Sequence, residues 1–296
     1  MGKIAKALEK SEIGTTGEGR VSDDGSRDAA DIILARDSGK RESGLKKNER
    51  EKDLRSGRWD ERLSLAMSGS TETSESFRVL RSRILYPDDE AKIYRTILIA
   101  STAPREGKSF VCANLGLSLA QGVDQRALLV DCDLRRPTLA RLFGLSSDRG
   151  LSDYLQDGTD LANLIQKTSV DKMTLLASGR SPVNPSELLG SAKMHELVLE
   201  LAERYDDRFI IFDSPPILAA SEAIVLSQKV DGVVLVVRHG VSSRTQVKKI
   251  VELIGRDKII GVVFNGYESS YLEAKMLGQY QYYGSYYSAA ENTTKS

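Results

Sequence analysis

The fold is decided by one stretch of the chain, TILIASTAPREGKS at Thr96–Ser109. A strand-length apolar run at Thr96–Ser101 leads into a loop and then into a helical pattern over Gly107–Gln121. The loop fits the pattern G-x-x-x-x-G-K-[ST], except that Thr102 stands where the first glycine is expected. A strand, this loop and a helix in succession predict a phosphate-binding turn.

The residue types in this loop suit phosphate chemistry. Backbone N–H groups of the loop and of the helix N-terminus point at a phosphate, Gly107 permits close approach, and Lys108 neutralises charge. Ser109 offers a hydroxyl to a magnesium ion. The alternative is a capped strand–helix turn in which Gly-Lys-Ser occurs by coincidence. The predicted nucleotide-binding residues of this segment are Thr102, Ala103, Pro104, Arg105, Glu106, Gly107, Lys108, Ser109 and Phe110.

Apolar runs and helical stretches alternate from about residue 71 onward. Strands are predicted at Thr96–Ser101, Ala127–Asp131, Met173–Ala177, Phe209–Asp213, Gly232–Val237 and Ile259–Phe264. Helices are predicted at Glu72–Leu85, Gly107–Gln121, Thr138–Phe143, Lys193–Tyr205, Ser221–Gln228 and Arg244–Ile254. Strands that are nearly all apolar and are separated by helices predict a parallel sheet covered on both faces. The predicted fold is α/β: a doubly wound, mainly parallel sheet of the P-loop NTPase type, with helices on both faces.

Two of the predicted strands end in aspartate. Asp131 and Asp133 follow one strand, and Asp213 ends another. A single aspartate at the end of a strand is usually a turn residue. These three, however, share the carboxyl edge of the sheet with the phosphate loop. Mg²⁺ favours one or two carboxylates together with phosphate oxygens and water, so this edge is a predicted magnesium site.

Several of these segments resemble a known family. Thr102–Ser109, Leu128–Arg135 and Phe209–Pro216 are similar to the Walker A, A′ and B motifs of the bacterial tyrosine autokinases, the P-loop tyrosine kinases of capsule and exopolysaccharide loci. Pro182–Leu189 is similar to a further family segment. The resemblance covers about Ser70–Tyr287 and implies ATP-dependent, Mg²⁺-assisted transfer of a phosphoryl group to tyrosine.

The resemblance also implies residue roles. Lys108, Asp131 and Asp133 are the expected catalytic residues, and Ser109, Asp133 and Asp213 the expected magnesium ligands. Asp131 would orient and deprotonate the acceptor phenol, whose ordinary pKa is about 10. The separation of roles between Asp131 and Asp133 is carried over from the family and does not follow from their spacing. Asn265, at the end of the last strand, is expected beside the adenine, with a plain turn as the alternative.

One charged pattern precedes the first predicted strand. Glu75, Arg78 and Arg81 recur every three positions, so a helix places them on nearly one face. In the family, this pattern joins protomers into a ring in which each tail meets a neighbour's active site. The alternative is an ordinary solvated helix face.

The C-terminal segment is rich in tyrosine. Six of the 11 tyrosines lie there: Tyr271, Tyr280, Tyr282, Tyr283, Tyr286 and Tyr287. They alternate with Gly, Gln and Ser and show no periodicity that would place them in a core, so we expect them to be phospho-acceptors. The alternatives are an adhesive aromatic tail or a stacking surface for single-stranded nucleic acid. The latter lacks support because residues 278–292 contain no Lys or Arg.

The first 70 residues differ in composition from the rest. They are rich in Gly, Ser and mixed charges, with Trp59 among a few isolated apolar residues. Such a segment buries too little surface to offset an ordering entropy of about 1–2 kcal/mol per residue. Short helices are considered at Met1–Lys10 and Ala29–Ala35. The expected organisation is a mostly disordered region at 1–70, a kinase domain at 71–267 and a flexible tail at 268–296.

Composition excludes several classes of protein. Lys+Arg 42 equal Asp+Glu 42, so a general polyanion-binding role has no support and no nucleic-acid partner is expected. No apolar run approaches the ~18–20 residues that cross a bilayer, and Met1–Lys10 lacks the apolar part of a secretory signal. Two cysteines, Cys112 and Cys132, suit a reducing compartment. A cytoplasmic chain is expected.

The resemblance further implies partners. These are a membrane-bound polysaccharide chain-length regulator as activator, which would associate the chain peripherally with the inner membrane, and a cognate tyrosine phosphatase. The charged N-terminal region, opening Met1-Gly2-Lys3-Ile4, is similar to the subgroup of exosortase (PEP-CTERM) loci. Two alternatives stay open: a P-loop ATPase switch of the cell-division or partition type, and an ATP-binding scaffold without kinase activity.

Overall fold

The computed structural model describes residues 32–35, 59–60, 63, 72–89, 91–204 and 207–267. Its strands are β1 (Ile32–Ala35), β2 (Thr96–Ser101), β3 (Arg126–Asp131), β4 (Ile165–Lys167), β5 (Met173–Leu176), β6 (Arg208–Asp213), β7 (Gly232–Arg238) and β8 (Ile259–Asn265). Within the described part these eight strands form one sheet in the order β1-β8-β7-β2-β6-β3-β5-β4. Neighbours are parallel except for β4 and β5, which pair antiparallel.

The helices connect successive strands. They are α1 (Glu72–Leu85), α2 (Lys108–Ala120), α3 (Leu139–Leu142), α4 (Leu151–Asp157), α5 (Pro185–Gly190), α6 (Ala192–Arg204), α7 (Ser221–Lys229) and α8 (Arg244–Ile254). Short 3₁₀ turns lie at Leu161–Asn163, Ile217–Ala219 and Arg256–Lys258. No helix in the described ranges is both long and apolar enough to cross a bilayer.

The central strands are apolar on both faces of the sheet. All six residues of β2 are buried. Ile97 and Ile99 pack into a core with α1, α2 and α3, whereas Leu98 and Ala100 pack into a second core with α4, α6, α7 and α8. Because side chains alternate along a strand, these two cores lie on opposite faces of the sheet. The predicted doubly wound fold is confirmed, and the predicted strands and helices agree with the observed ones to within one residue at each end.

Some elements were not predicted. The helix considered at Ala29–Ala35 is wrong for Ile32–Ala35, which forms β1 and pairs with β8 so that Ala35 lies opposite Asn265. Four consecutive apolar residues have no period that separates helix from strand, and the open edge of β8 supplies the hydrogen-bond partners. The disorder expected for 1–70 therefore does not include β1. The helix considered at Met1–Lys10 and the tail at 268–296 lie outside the described residues.

β4, α4 and α5 were also not predicted. The position of α4 depends on a close backbone contact at Gly150. Gly150, directly before α4, forms an isolated bridge with Ser178 just after β5. Leu151 N donates to the Ala177 carbonyl at 2.8 Å. The backbones approach so closely that a Cβ on Gly150 would overlap with the Ala177 carbonyl oxygen.

We expect Gly150→Ala to destabilise the protein because that Cβ would have to displace backbone rather than a side-chain tip. The expected decrease in the free energy of unfolding is about 1–3 kcal/mol, the usual cost of overpacking. Urea denaturation followed by far-UV circular dichroism measures it.

Gly190→Ala is the matched control, since a Cβ at Gly190 in α5 has no atom within 4 Å. Its free energy of unfolding is expected to change by less than about 0.5 kcal/mol. An equal decrease in both variants would show that the close approach at Gly150 is absent.

Candidate active site

The phosphate loop lies between β2 and α2, as predicted. Gly107 caps α2 in a left-handed conformation (φ 96°), and Arg105 is also left-handed (φ 65°). A Cβ on Gly107 would overlap with the side-chain amide of Asn265, so glycine is required here for both its φ and its size. Lys108 opens α2 and is 7% exposed. The helix N-terminus therefore faces the carboxyl edge of the sheet, where its amides favour an anion.

Glu106 holds the loop in shape, which the sequence did not indicate. Its buried carboxylate accepts hydrogen bonds from Ala103 N at 2.8 Å and from Arg238 N at 3.4 Å. Asn265 Nδ2 donates to the Glu106 carbonyl at 2.8 Å. These bonds tie the loop to the ends of β7 and β8. The Ala103 amide thus donates to Glu106 within the protein. The expected contact of Asn265 with adenine stays a prediction.

Asp131 and Asp213 end neighbouring strands and lie directly opposite each other in the β3–β6 ladder. Both are fully buried. Adjacent Cα atoms of neighbouring strands are about 5 Å apart, so the two carboxylates are close. Their mutual repulsion and their burial both favour the protonated form. The sheet thus brings together the two strand-end aspartates that the sequence placed at one edge.

Asp131 is bound by backbone amides. Its Oδ1 accepts a hydrogen bond from Asp133 N at 3.2 Å, and its Oδ2 accepts from Thr138 N at 3.1 Å and from Leu139 N at 3.0 Å. Burial and the nearby Asp213 raise the pKa of Asp131 well above its ordinary value, against the effect of the Leu139 amide. Both oxygens are engaged with the chain's own backbone. Asp131 therefore holds the start of α3 in place.

Asp213 has no such partners. Both of its oxygens are buried, and neither accepts a hydrogen bond of ordinary geometry from the described residues. Burial raises its pKa to about 7, while the Lys108 ammonium and the nearby Ser109 hydroxyl act in the opposite direction. Buried acceptors without donors are unusual in native proteins. A cation or its bound water would satisfy them.

Ser109 and Asp133 are the other two predicted magnesium ligands. Ser109 Oγ accepts a hydrogen bond from Thr138 Oγ1 at 2.6 Å. Burial raises the pKa of Asp133, against the Arg136 amide and the Lys108 ammonium, and its side chain keeps some exposure. Across the described ranges, no group of three or more His, Cys, Asp or Glu side chains forms a metal cluster. A hydroxyl and two carboxylates fit magnesium only together with phosphate oxygens and water.

A cavity of about 460 Å³ is lined by Arg135 and residues 181–187. Arg135 donates to Ser186 Oγ at 2.6 Å and to Glu222 Oε1 at 3.3 Å, and Ser186 also donates to Glu222 at 3.1 Å. The Glu222 side chain is 3% exposed. Sequence reasoning noted the segment around Ser186 but not its link to Glu222, which is distant in the chain.

Glu75, Arg78 and Arg81 of α1 do not share one set of contacts. Glu75 and Arg78 form an exposed ion pair at 3.0 Å. Arg81 instead donates to the Ser118 carbonyl near the end of α2 at 2.7 Å. Ser118 Oγ in turn donates to the Phe77 carbonyl at 3.3 Å. Arg81 thus joins α1 to α2 within the chain, which the expectation of a shared interface face did not include.

Residues 97–284 match the family described as the CobQ/CobB/MinD/ParA nucleotide binding domain. The tyrosine-protein kinase YwqD of Bacillus subtilis (strain 168) is 35% identical over 221 residues, which are 74% of this chain and 88% of that protein. The chain belongs to the bacterial tyrosine-protein kinases. This kinase family thus accounts for the succession of phosphate loop and strand-end aspartates, and it confirms the predicted resemblance.

Other similar proteins are also described as tyrosine kinases, but this chain covers different shares of their lengths. The tyrosine-protein kinase ptk of Acinetobacter johnsonii is 35% identical over 204 residues, which are 69% of this chain but 27% of that protein. The kinase domain of the Escherichia coli tyrosine kinase ETK superposes with a TM-score of 0.63 at 30% identity, covering 71% of this chain and 83% of that domain. The kinase chain described here thus spans about a quarter of the first of these relatives and most of the second.

The raised pKa of Asp213 predicts that the stability of this kinase depends on pH. Because its pKa rises from 3.8 to about 7 on folding, the folded state binds an extra proton between these values. The free energy of unfolding then falls as the pH rises from about 4 to 7. We expect Asp213→Asn, without nucleotide, to be more stable than the wild type at pH 8 by about 2–4 kcal/mol. Urea denaturation at pH 5 and pH 8 measures it.

Asp171→Asn, at an exposed position, is the control and is expected to follow the wild-type pH profile. Nucleotide binding by Asp213→Asn is expected to weaken even as its stability rises. A variant that is less stable than the wild type at pH 8 would mean that the folded protein already pairs this carboxylate.

Proposed function

We propose that this chain is an ATP-dependent protein-tyrosine kinase that phosphorylates the tyrosine cluster of its own C-terminal tail in trans. The observation that carries the proposal is the buried pair Asp131 and Asp213 at the end of a phosphate-binding loop, where the Lys108 ammonium acts on the charge of Asp213. Family membership supports it, since YwqD and ETK are both described as tyrosine kinases.

ATP is proposed to bind with its phosphates at the N-terminus of α2. Lys108 neutralises charge on the β and γ phosphates, and the amides at the start of α2 donate to them. Ser109, Asp133 and Asp213 hold Mg²⁺ directly or through water, and the ion supplies positive charge beside the transferred phosphoryl group. Asp213 is the main ligand in this proposal because both its oxygens lack a hydrogen bond from the described chain.

The acceptor tyrosine needs a carboxylate to orient its hydroxyl and take its proton, because a phenol with a pKa of about 10 is a weak nucleophile at neutral pH. Asp131 was predicted for this role, but it is fully buried and both its oxygens accept from backbone amides. Asp133 keeps some exposure, and the Arg135 guanidinium acts on its charge. We therefore propose a positioning role for Asp131 and assign the phenol contact to Asp133, which in this role holds Mg²⁺ only through water.

The proposed phospho-acceptors lie outside the described residues. They are Tyr271, Tyr280, Tyr282, Tyr283, Tyr286 and Tyr287. The described chain ends at Tyr267, whose ring contacts His239 and Phe264 with centroid distances of 5.6 and 5.5 Å. Each phosphate adds about −1.5 to −2 charges. Phosphorylated tails would therefore repel one another and the acidic edge of the sheet, which favours dissociation of the oligomer.

The proposal includes regulation. Unphosphorylated protomers form a ring, a membrane-bound polysaccharide chain-length regulator activates them, and a cognate phosphatase removes the phosphates. The chain would then act on exopolysaccharide or capsule polymerisation and export from the cytoplasmic side of the inner membrane, within an exosortase-type locus. The support for these points is the family and the tyrosine cluster of the sequence.

Lys108→Met tests whether the chain transfers phosphate to tyrosine or only binds ATP. We expect the wild type with MgATP to give a strong anti-phosphotyrosine signal and Lys108→Met to lower it by at least about 100-fold, because the charge on the phosphates is no longer neutralised. Truncation after Gly278, which removes five of the six tail tyrosines, is expected to remove most of the signal.

Lys248→Met, at an exposed position on α8, is the matched control and is expected to leave the signal unchanged. ATP hydrolysis without phosphotyrosine would replace the proposal with a P-loop switch of the cell-division or partition type. Absence of both activities in the wild type would leave an ATP-binding scaffold.

Arg78→Ala tests the proposed ring contact. Arg78 is exposed on α1, where its ion pair with Glu75 is expected to contribute less than about 1 kcal/mol to the free energy of unfolding. We expect the variant to shift the unphosphorylated protein toward monomer in size-exclusion chromatography with light scattering, with little change in melting temperature.

Arg81→Ala is expected to behave differently, since it loses the hydrogen bond to the Ser118 carbonyl. Its free energy of unfolding should fall by about 1–2 kcal/mol. Lys249→Ala, exposed on α8, is the surface control. An Arg78→Ala protein with the wild-type oligomeric state would exclude Arg78 from the ring contact.

A further inference from the structure

A short segment ahead of the kinase domain packs on α3. Asp60 N donates to the Leu142 carbonyl at 3.0 Å, and the Trp59 ring stands edge-on to Phe143 with a centroid distance of 5.5 Å. Leu63 is fully buried in the core shared by α1, α2 and α3. We call Trp59, Asp60 and Leu63 the N-terminal anchor. It lies in the region that composition marked as too polar to order.

Helix α3 depends on its neighbours for its conformation. It contains four residues, and an isolated helix of that length is unstable in water. Its N-cap residue Thr138 makes no side-chain capping bond. The amides of Thr138 and Leu139 donate instead to Asp131 Oδ2. At the other end, the Leu142 carbonyl accepts from Asp60 N. The anchor and Asp131 therefore hold opposite ends of α3.

Thr138 links α3 to the phosphate loop as well. Its hydroxyl donates to Ser109 Oγ at 2.6 Å, while its amide is bound to Asp131. A displacement of α3 would lengthen both bonds at once. The bonds that fix the orientations of Ser109 and Asp131 therefore come from an element that the anchor keeps in place.

We propose that Trp59 and Leu63 are positioning residues for phosphoryl transfer, which they support by fixing α3 against Asp131 and Ser109. The inference rests on the proposed kinase function for its kinetic consequence, but the structural link from Trp59 to α3 stands apart from that function. Trp59 touches no reacting atom in this scheme. The N-terminal anchor thereby becomes part of the catalytic domain.

The test uses the full-length chain and three variants. Trp59→Ala removes the ring, Trp59→Phe keeps an aromatic edge-to-face contact, and Phe209→Ala truncates another aromatic residue that packs against the same core. At saturating MgATP we expect Trp59→Ala to lower kcat about tenfold or more, with KM for ATP changed less than about threefold. Trp59→Phe should stay within about threefold of the wild type.

Phe209→Ala is expected to reduce the melting temperature while kcat stays near the wild-type value below the transition. A Trp59→Ala protein with normal kcat would overturn the proposal, and so would Phe209→Ala with an equal loss of kcat. Combination with Thr138→Val adds a further criterion. If Trp59 acts through α3, the two substitutions together should reduce kcat by less than the product of their separate effects.

Hydrogen exchange gives a readout that does not need activity. In Trp59→Ala, a peptide covering residues 133–143 should exchange at least about tenfold faster than in the wild type, and in Phe209→Ala it should not. Unchanged exchange in Trp59→Ala would overturn the proposal even if the kinase is active. If the wild type makes no phosphotyrosine, the proposed function fails, while accelerated exchange would still support the link from anchor to α3.

Discussion

The parallel pairing of β3 with β6 is the constraint on which the rest of the site depends. It sets Asp131 directly opposite Asp213 in a fully buried position, where two carboxylates repel each other and lose their hydration. Two interactions offset this unfavourable free energy of repulsion and dehydration. Backbone amides at the start of α3 bind Asp131, and the Lys108 ammonium lowers the pKa of Asp213 against the effect of burial. Asp213 keeps both oxygens without a donor among the described residues, which leaves it suited to a cation.

The loop and helix around these carboxylates are held from several directions. Glu106 and Asn265 join the phosphate loop to the ends of β7 and β8, and Thr138 joins α3 to Ser109. Preorganised donors and charges of this kind are the main source of catalysis in phosphoryl transfer. Asp131 has two such roles. It binds the amides at the start of the short helix α3, and it also accepts a hydrogen bond from the amide of Asp133.

Sequence reasoning succeeded where a pattern is periodic or a spacing is chemically specific. The alternation of apolar strands with amphipathic helices predicted the sheet, and the Gly107-Lys108-Ser109 triplet predicted its phosphate loop. It missed β4, considered a helix where Ile32–Ala35 forms β1, and did not indicate the bond that joins Arg81 to the Ser118 carbonyl. The Ser118 carbonyl that binds Arg81 is 37 residues away, so no local sequence pattern predicts this hydrogen bond. Glu106 was predicted only as part of the nucleotide-binding loop, and its bond to the Arg238 amide was missed because Arg238 is 132 residues away.

The sequence by itself determined the strand–loop–helix order, the acidic ends of two strands and the tyrosine-rich tail, because hydrophobic period and residue chemistry are properties of neighbours along the chain. Only the tertiary structure decided which carboxylate stays without a partner, which arginine turns inward and which stretch of the polar N-terminal region packs on α3. Those outcomes depend on burial and on donors brought from distant segments. The free energy of burying a charge or of forming a hydrogen bond depends on groups that are close in space, and a local stretch of sequence does not show which groups these are.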